Sequence, residues 1–161
     1  MSNLSFCIER RKAEGPAFVR VLKAVPAARL DYRPDPKSRT AAELAWMLAA
    51  EEASLVSLLE TGTIDWKEEK PPASLDQIVA TFERSAAAVD ERLAKLDEAA
   101  WKKPGKFQMG GQAVWEDSVG NMMWGMLFDA IHHRGQLSTY LRPMGGKVPQ
   151  IYGPSADDPG Q

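Results

Sequence analysis

The chain has 161 residues, of which 44% are hydrophobic and 26% are charged. This length and composition are typical of one globular domain with its own hydrophobic core, and they exclude a collagenous or intrinsically disordered chain. The 20 Lys and Arg residues against 22 Asp and Glu residues give a net charge of -2. The basic surface that nucleic acid requires is therefore not expected. We predict a single domain over residues 1–161 that does not bind nucleic acid.

The N-terminal segment and the cysteine content indicate a location for the protein. Charged residues such as Glu9 and Arg10 stand where a signal peptide has an apolar stretch, and no apolar run approaches the 18 or so residues of a membrane span. Cys7 is the one cysteine, so no disulfide can form within the chain, and we expect it to be buried in the first helix. We therefore predict a cytoplasmic protein without membrane contact.

Apolar residues at helical spacing predict four amphipathic helices, separated by segments rich in proline and glycine. The predicted helices cover residues 4–25, 40–60, 74–96 and 114–142. Gly15 and Pro16 are expected to kink or interrupt the first helix, because proline removes a backbone donor and clashes with the preceding turn. No alternation of apolar and polar residues is long enough to predict a sheet, and residues 97–112 are expected to form an irregular link.

Capping patterns support two of these helix starts. Thr40 and Glu43 are spaced as in a capping box, in which each side chain accepts a hydrogen bond from the other residue's backbone amide. Ser74 and Gln77 repeat the pattern at the start of the third helix. Both patterns predict a well-defined beginning for the helix that follows.

Four amphipathic helices in one domain bury their apolar faces against one another, so we predict an all-α four-helix bundle. The connection of residues 26–38 can run the length of a bundle, which leaves open a crossover topology with helices running up, up, down and down. Residues 147–161 are expected to form an extended C-terminal tail.

A carboxylate and a histidine on the last helix are the candidate site. His133 follows Asp129 by one turn on what the spacing predicts to be the inward face. Buried without partners they would cost several kcal/mol, so they must hydrogen-bond to each other, contact a third polar group or bind a metal ion. Spacing alone favours an Asp129–His133 hydrogen bond over a metal site. Glu51, which shares a helix face with Met47, is the candidate third oxygen donor, although Glu51 and Glu52 are alternatively solvated charges.

The remaining polar residues near the site are expected to be structural. His132 should point toward a helix flank or a partner subunit. Gly135, inside a helix, indicates close approach of another backbone. Arg134 and Gln136 are expected to anchor loops, and the basic run of residues 10–12 is expected to be solvated.

Three segments of the chain resemble the DinB-like family, which belongs with the mycothiol- and bacillithiol-dependent transferases. Residues 132–145 (HHRGQLSTYLRPMG) and 151–155 (IYGPS) are similar to the last helix and tail of that family, and residues 39–47 (RTAAELAWM) to the start of its second helix. The resemblance implies a four-helix bundle with crossover topology, often a homodimer. It also implies a divalent cation held by three histidines, one on the second helix and a His-x-x-x-His pair on the last.

The resemblance places His133 at the second position of that pair, Asp129 at the first, and Met47 at the histidine of the second helix, so the triad is degenerate. A related branch, the mycothiol-dependent maleylpyruvate isomerases, uses a carboxylate-x-x-x-His pair, which makes Asp129 a suitable ligand. Met47 is a poor one for zinc or nickel, because a thioether is a soft, neutral donor. The resemblance thus implies a divalent metal ion, zinc or nickel, at His133 and Asp129. Glu51, the oxygen donor that helical spacing suggests on the second helix, is the candidate third ligand.

Two functions follow from this resemblance. In the first, the protein is a metal-dependent thiol transferase, whose cation lowers the pKa of a low-molecular-weight thiol and presents the thiolate to an electrophile. In the second, it is a non-catalytic, homodimeric helical bundle with a metal-free pocket. A DNA-related activity is disfavoured by the acidic charge balance.

Overall fold

Four long helices account for most of residues 1–160, the part of the chain that the computed structural model describes. The elements follow one another as α1 (Asn3–Lys23), α2 (Ala41–Thr61), β1 (Thr63–Trp66), α3 (Leu75–Leu93), α4 (Glu98–Trp101), β2 (Pro104–Met109), β3 (Gln112–Ser118) and α5 (Val119–Leu141). The four predicted helices are confirmed to within a few residues at most ends, but the last begins at Val119 and not at residue 114. Within residues 1–160, none of the helices has the length and apolar character that a membrane span requires.

Hydrogen bonds at its two ends define α2. The Glu43 amide donates to Thr40 Oγ1 at 3.1 Å and the Thr40 amide donates to the Glu43 carboxylate at 2.7 Å, so the predicted capping box is confirmed. The bond from the Thr40 amide is the main cause of a lowered pKa at Glu43. The helix ends at Gly62, whose φ of 73° lies in the left-handed region that favours glycine. The second predicted capping box is wrong, because the Ser74 side chain makes no capping hydrogen bond.

The first helix continues through Pro16, so the predicted interruption is wrong. The buried face keeps the same phase before and after the proline, and packing of that face holds the helix together across the missing backbone donor. Cys7 is buried as predicted. The buried residues of this face include Leu4, Cys7, Arg11, Glu14, Phe18 and Val21.

The first two long helices, α1 and α2, pack against the same two neighbours. α2 packs against α3 and α5, and α1 packs against the same two helices. Fully buried aliphatic side chains from all four fill the space between them, among them Leu22, Leu44, Leu48, Ile78, Leu137 and Leu141. This packing explains why the predicted amphipathic faces are long and continuous.

The prediction that the chain contains no sheet is wrong. β1 pairs in parallel with β2, and β2 pairs with β3 as an antiparallel hairpin. Gly110 and Gly111 form the hairpin turn with φ values of 57° and 81°, which suits glycine. The strands escaped prediction because β1 has four residues and pairs with a distant segment, while β3 is largely exposed and lacks an apolar face. The segment expected to be an irregular link contains α4 and β2.

Tryptophan rings pack against α5 at two glycines. A Cβ atom at Gly120 would lie 2.4 Å from the Trp101 ring, and one at Gly125 would lie 2.5 Å from the Trp115 ring. At Gly135 nothing lies within 4 Å of that position, so the predicted close approach of another backbone there is wrong. Within α5, the glycines that matter for packing are therefore Gly120 and Gly125, which face α4 and the sheet.

The C-terminal tail is held against α1 and α5 by polar contacts. Arg20 donates to the Gln150 carbonyl at 3.1 Å, and Arg142 donates to the Asp157 carboxylate at 2.8 Å. Residues 147–160 form no helix or strand, and residue 161 of the predicted tail lies outside the described residues. The tail is thus a fixed part of the fold.

Candidate metal centre

The two residues predicted on the last helix lie at the rim of its buried face. The buried positions of α5 include Met126, Ala130 and Arg134, and Asp129 and His133 each precede one of them. A one-residue step rotates a side chain by about 100° around the helix, which moves both residues toward the edge. The His133 side chain is 17% exposed and the Asp129 side chain is 54% exposed. The prediction that both project into the interior is therefore wrong for Asp129.

Glu51 reaches His133 from α2. It continues the buried face of that helix after Leu44 and Leu48, and its side chain is only 6% exposed. Glu51 Oε1 lies 2.9 Å from His133 Nδ1. The alternative of solvated glutamates is wrong, because Glu52 is buried as well.

These three side chains converge on one point. A carboxylate oxygen from each of Glu51 and Asp129 and one ring nitrogen of His133 lie within 4.8 Å of one another. Two ligands of a tetrahedral ion, each about 2.1 Å from it, are separated by about 3.4 Å. Small side-chain movements would therefore bring all three donor atoms onto one cation.

Two buried polar atoms at this point have no hydrogen-bond partner within residues 1–160. One is Glu51 Oε2, and the other is His133 Nδ1, which is close to Glu51 Oε1 without a well-aligned hydrogen bond to it. Buried imidazole and carboxylate groups are normally satisfied by a donor or by a cation. The residues present therefore fit a divalent cation.

The electrostatics of the site favour added positive charge. Burial raises the pKa of Glu51, and this effect outweighs the lowering by His133. The short contact with the Glu51 carboxylate raises the pKa of His133, because the carboxylate stabilises the protonated ring. A proton or a metal ion would each supply the positive charge.

The hydrogen bond predicted between Asp129 and His133 is wrong. His133 Nε2 and the nearer Asp129 oxygen are 4.0 Å apart, which is too far for a hydrogen bond. The short polar contact of His133 is instead with Glu51 on a different helix.

Met47, placed by the resemblance at the helix-two histidine, lies one turn before Glu51. It lines a cavity of about 330 Å³ together with Trp46 and Trp66. The contact from α2 to His133 is thus made one turn later than the resemblance implies.

Asp129 also lines an open groove of about 520 Å³. Phe107 and Trp115 from the sheet form one wall, and Phe128 and His132 from α5 line the other side. The sheet therefore builds one side of the approach to the site. His132 is exposed, as its predicted place on a helix flank requires.

Two buried ion pairs beside the site were not predicted from the sequence. Arg11 of α1 pairs with Glu52 of α2, so the prediction that residues 10–12 are solvated is wrong for Arg11. Arg134 donates to Glu14 at 2.7 Å. The signal was available, because Arg11 and Glu14 stand in the apolar face of α1, where a charge requires a partner.

Comparison with known proteins identifies the family of this chain. The sequence profile of the DinB superfamily matches residues 13–137. The chain belongs to the DinB superfamily. No curated protein matches it significantly.

Solved structures with a similar fold include two DinB-like proteins. One, from Bacillus cereus ATCC 10987, has a TM-score of 0.75 at 18% identity, over 91% of this chain and 95% of that one. Another, from Bacillus subtilis, has a TM-score of 0.68 at 15% identity, over 86% and 92% of the two chains. A mycothiol-dependent maleylpyruvate isomerase has a TM-score of 0.56 at 16% identity, over 89% of this chain and 61% of that one. At these identities the similarity shows the DinB-like fold alone.

Proposed function

We propose that this DinB-superfamily chain is an enzyme that binds a divalent cation and transfers a low-molecular-weight thiol to a carbon electrophile. The observation that carries the proposal is the convergence of Glu51, Asp129 and His133, with the buried Nδ1 of His133 left without a hydrogen-bond partner among residues 1–160. Three protein donors with one side toward solvent are the arrangement of catalytic metal sites, which keep a coordination position open.

The donor set bears on the identity of the cation. One imidazole and two carboxylates form a harder set than the three histidines of the usual family site. Imidazole suits zinc, nickel and iron, while carboxylates also favour manganese. We therefore propose that zinc and nickel, which the resemblance implies, compete at this site with manganese and iron.

The thiol has to come from outside the chain. Cys7 is the one cysteine, it is fully buried, and burial raises its thiol pKa to about 11. Such a thiol is a poor nucleophile at neutral pH. A solved protein with a similar fold is a mycothiol-dependent isomerase, which supports an external thiol as co-substrate.

The groove beside Asp129 supports an electrophile with an apolar body. Phe107, Trp115 and Phe128 line it, and aromatic rings of this kind bind flat apolar groups by stacking. The partly exposed Asp129 carboxylate lies where the groove meets the buried pair. The role we assign to Glu51 and His133 is to hold the cation from the interior side.

The proposed reaction conserves atoms and charge. A bound divalent cation would lower the pKa of the co-substrate thiol, so that the thiol loses its proton to solvent at neutral pH. The sulfur then forms a bond to the electrophilic carbon, and the leaving group departs with the electron pair of the bond that breaks. The groove residues orient the electrophilic carbon toward the sulfur.

Metal analysis of untagged protein, purified without a nickel column, tests this proposal. We expect one equivalent of a first-row divalent metal, and one equivalent of Co²⁺ bound by the metal-free protein. Metal at about 100 times its Kd stabilises the folded state by about 2.7 kcal/mol, which is readily measured as a rise in Tm. Conjugation of cysteine or N-acetylcysteine to an aryl halide, with and without metal, measures the activity.

Variants of the site provide the controls. Glu51→Gln and His133→Ala should each abolish stoichiometric metal binding and the metal-dependent rise in Tm. His132→Ala, which removes the exposed neighbouring histidine, should keep both. A protein that stays metal-free at saturating metal would support the non-catalytic alternative in place of the enzyme.

We also propose that the four long helices form the crossover bundle expected of the family. In this arrangement α1 is diagonal to α2, and the connections after α1 and after α3 each cross the bundle. The packing of α1 and α2 against the same two helices supports it.

A further inference from the structure

A small cavity lies between the long helices, with Glu51 in its lining, and it combines mainly apolar walls with a few charged groups. Its volume is about 40 Å³, and its lining includes Arg11, Glu51, Glu52, Phe18 and Met126. A water molecule needs about 10 to 15 Å³ of such volume and two to four polar partners. The cavity has room for about three water molecules. Three of the residues that line it are buried and charged.

Two residues of this cavity carry unpaired polar atoms. Arg11 Nε and Glu51 Oε2 are both buried and have no hydrogen-bond partner in the part of the chain that the structure describes. Arg11 and Glu51 are each more than nine-tenths buried, so bulk water does not satisfy these atoms. One is a donor and the other an acceptor, which is the pair of partners that a single water molecule bridges.

The other contacts of Arg11 leave its Nε–H available. One terminal guanidinium nitrogen pairs with Glu52, and the Asp90 carboxylate is 3.9 Å from Nε, beyond hydrogen-bond distance. Because Glu52 neutralises the guanidinium, the pair adds little net charge to the neighbouring centre. Any influence of Arg11 on Glu51 must therefore pass through a directed contact.

We propose that ordered water in this cavity links the Arg11 Nε–H to Glu51 Oε2, and that Arg11 is thereby a positioning residue for the candidate metal centre. The proposal rests on the proposed function in so far as Glu51 holds a cation. Arg11 does not touch the cation or a substrate. It orients the Glu51 carboxylate so that the other oxygen, Oε1, stays beside His133.

The first test concerns the water itself and needs no metal. We expect the Arg11 Nε–H to show nuclear Overhauser contact with long-lived water in the metal-free protein, and a high-resolution crystal structure to show water bonded to Arg11 and Glu51. A dry cavity, or an Arg11 Nε–H bonded directly to a protein atom, would overturn the bridge.

The second test concerns positioning. The double variant Arg11→Met, Glu52→Met removes both members of the ion pair, keeps the net charge and leaves no unpaired buried charge, so it is expected to fold. We expect its Kd for Co²⁺ to rise about tenfold or more, as is typical when a partner of a metal ligand is lost. The Co²⁺ visible absorption spectrum should change as well.

An arginine–glutamate pair that does not line the cavity provides the control. Arg92 of α3 donates to Glu60 of α2 at 2.8 Å, away from the cavity. Arg92→Met, Glu60→Met should change the Kd for Co²⁺ by no more than about twofold, since distant sites act independently. Equal Co²⁺ binding by the two double variants would overturn the positioning role. A wild-type protein that binds no Co²⁺ would instead remove the proposed function, while the water test would still decide the bridge.

Discussion

Arg134 is the buried charge whose loss should cost the most stability. The residue is 1% exposed, and it donates to Glu14 at 2.7 Å and to the Tyr152 hydroxyl at 2.7 Å. Its guanidinium carbon lies 4.5 Å from the centre of the Phe18 ring. Arg134→Met removes all of these contacts and leaves the Glu14 carboxylate buried with only Tyr152 as partner.

Removing one partner of a buried ion pair costs about 3 to 5 kcal/mol, because the remaining charge is desolvated and unpaired. In a domain of this size each kcal/mol corresponds to about 2 to 4 °C in Tm, so Arg134→Met should lower Tm by roughly 6 to 20 °C. Urea unfolding followed by far-UV circular dichroism measures the free energy directly. Replacing Glu14 by Met as well should recover most of the loss.

A surface pair provides the comparison for this effect. Arg142 pairs with Asp157, and the Arg142 side chain is 54% exposed, so Arg142→Met should cost less than about 1 kcal/mol. The reasoning would be refuted if the free energy of unfolding of Arg134→Met lies within about 1 kcal/mol of the wild-type value. It would also be refuted if Arg134→Met and Arg142→Met lower the free energy of unfolding by the same amount.

Two further predictions concern the helices. Since the pKa of Cys7 is about 11 against an ordinary 9.0, native protein at pH 8 should react with a disulfide reagent far more slowly than denatured protein. Equal reaction rates of native and denatured protein would contradict the burial of Cys7. Because the folded state holds the thiol proton more tightly, the free energy of unfolding should fall as pH rises from 9 toward 11. The Cys7→Ala variant should not show this fall. Gly120→Ala should cost about 1 to 3 kcal/mol, because its Cβ would overlap Trp101, whereas Gly135→Ala should gain up to about 1 kcal/mol. Urea unfolding measures the free energy of unfolding of both variants, and an equal change in the two would contradict this prediction.

The candidate site shows how far helical periodicity carries a prediction. A helical period of 3.6 residues allows steps of three or four, so the buried face after Met126 can continue through Asp129 and His133 or through Ala130 and Arg134. The sequence does not distinguish these two paths. In the structure the buried face continues through Ala130 and Arg134, so Asp129 lies at the rim facing the groove and Arg134 is buried instead.

The sheet could not be predicted, because its strand pairing joins distant segments of the chain. β1 has four residues and joins β2 across the whole of α3, so no local pattern in either segment reports the pairing. The wall that Phe107 and Trp115 form beside Asp129 could not be predicted, because it depends on this long-range pairing. The homodimer expected from the family resemblance stays a prediction.

The amino-acid sequence by itself determined the four long helices, the capping box at Thr40 and the burial of Cys7. Each of these depends on contacts within a few turns of one helix, which spacing and residue type report directly. Only the tertiary structure decided that Glu51 meets His133, that Asp129 faces solvent and that Arg11 and Arg134 are buried in ion pairs. Those outcomes depend on how the helices are rotated against one another, and that rotation is set by the packing of the whole core.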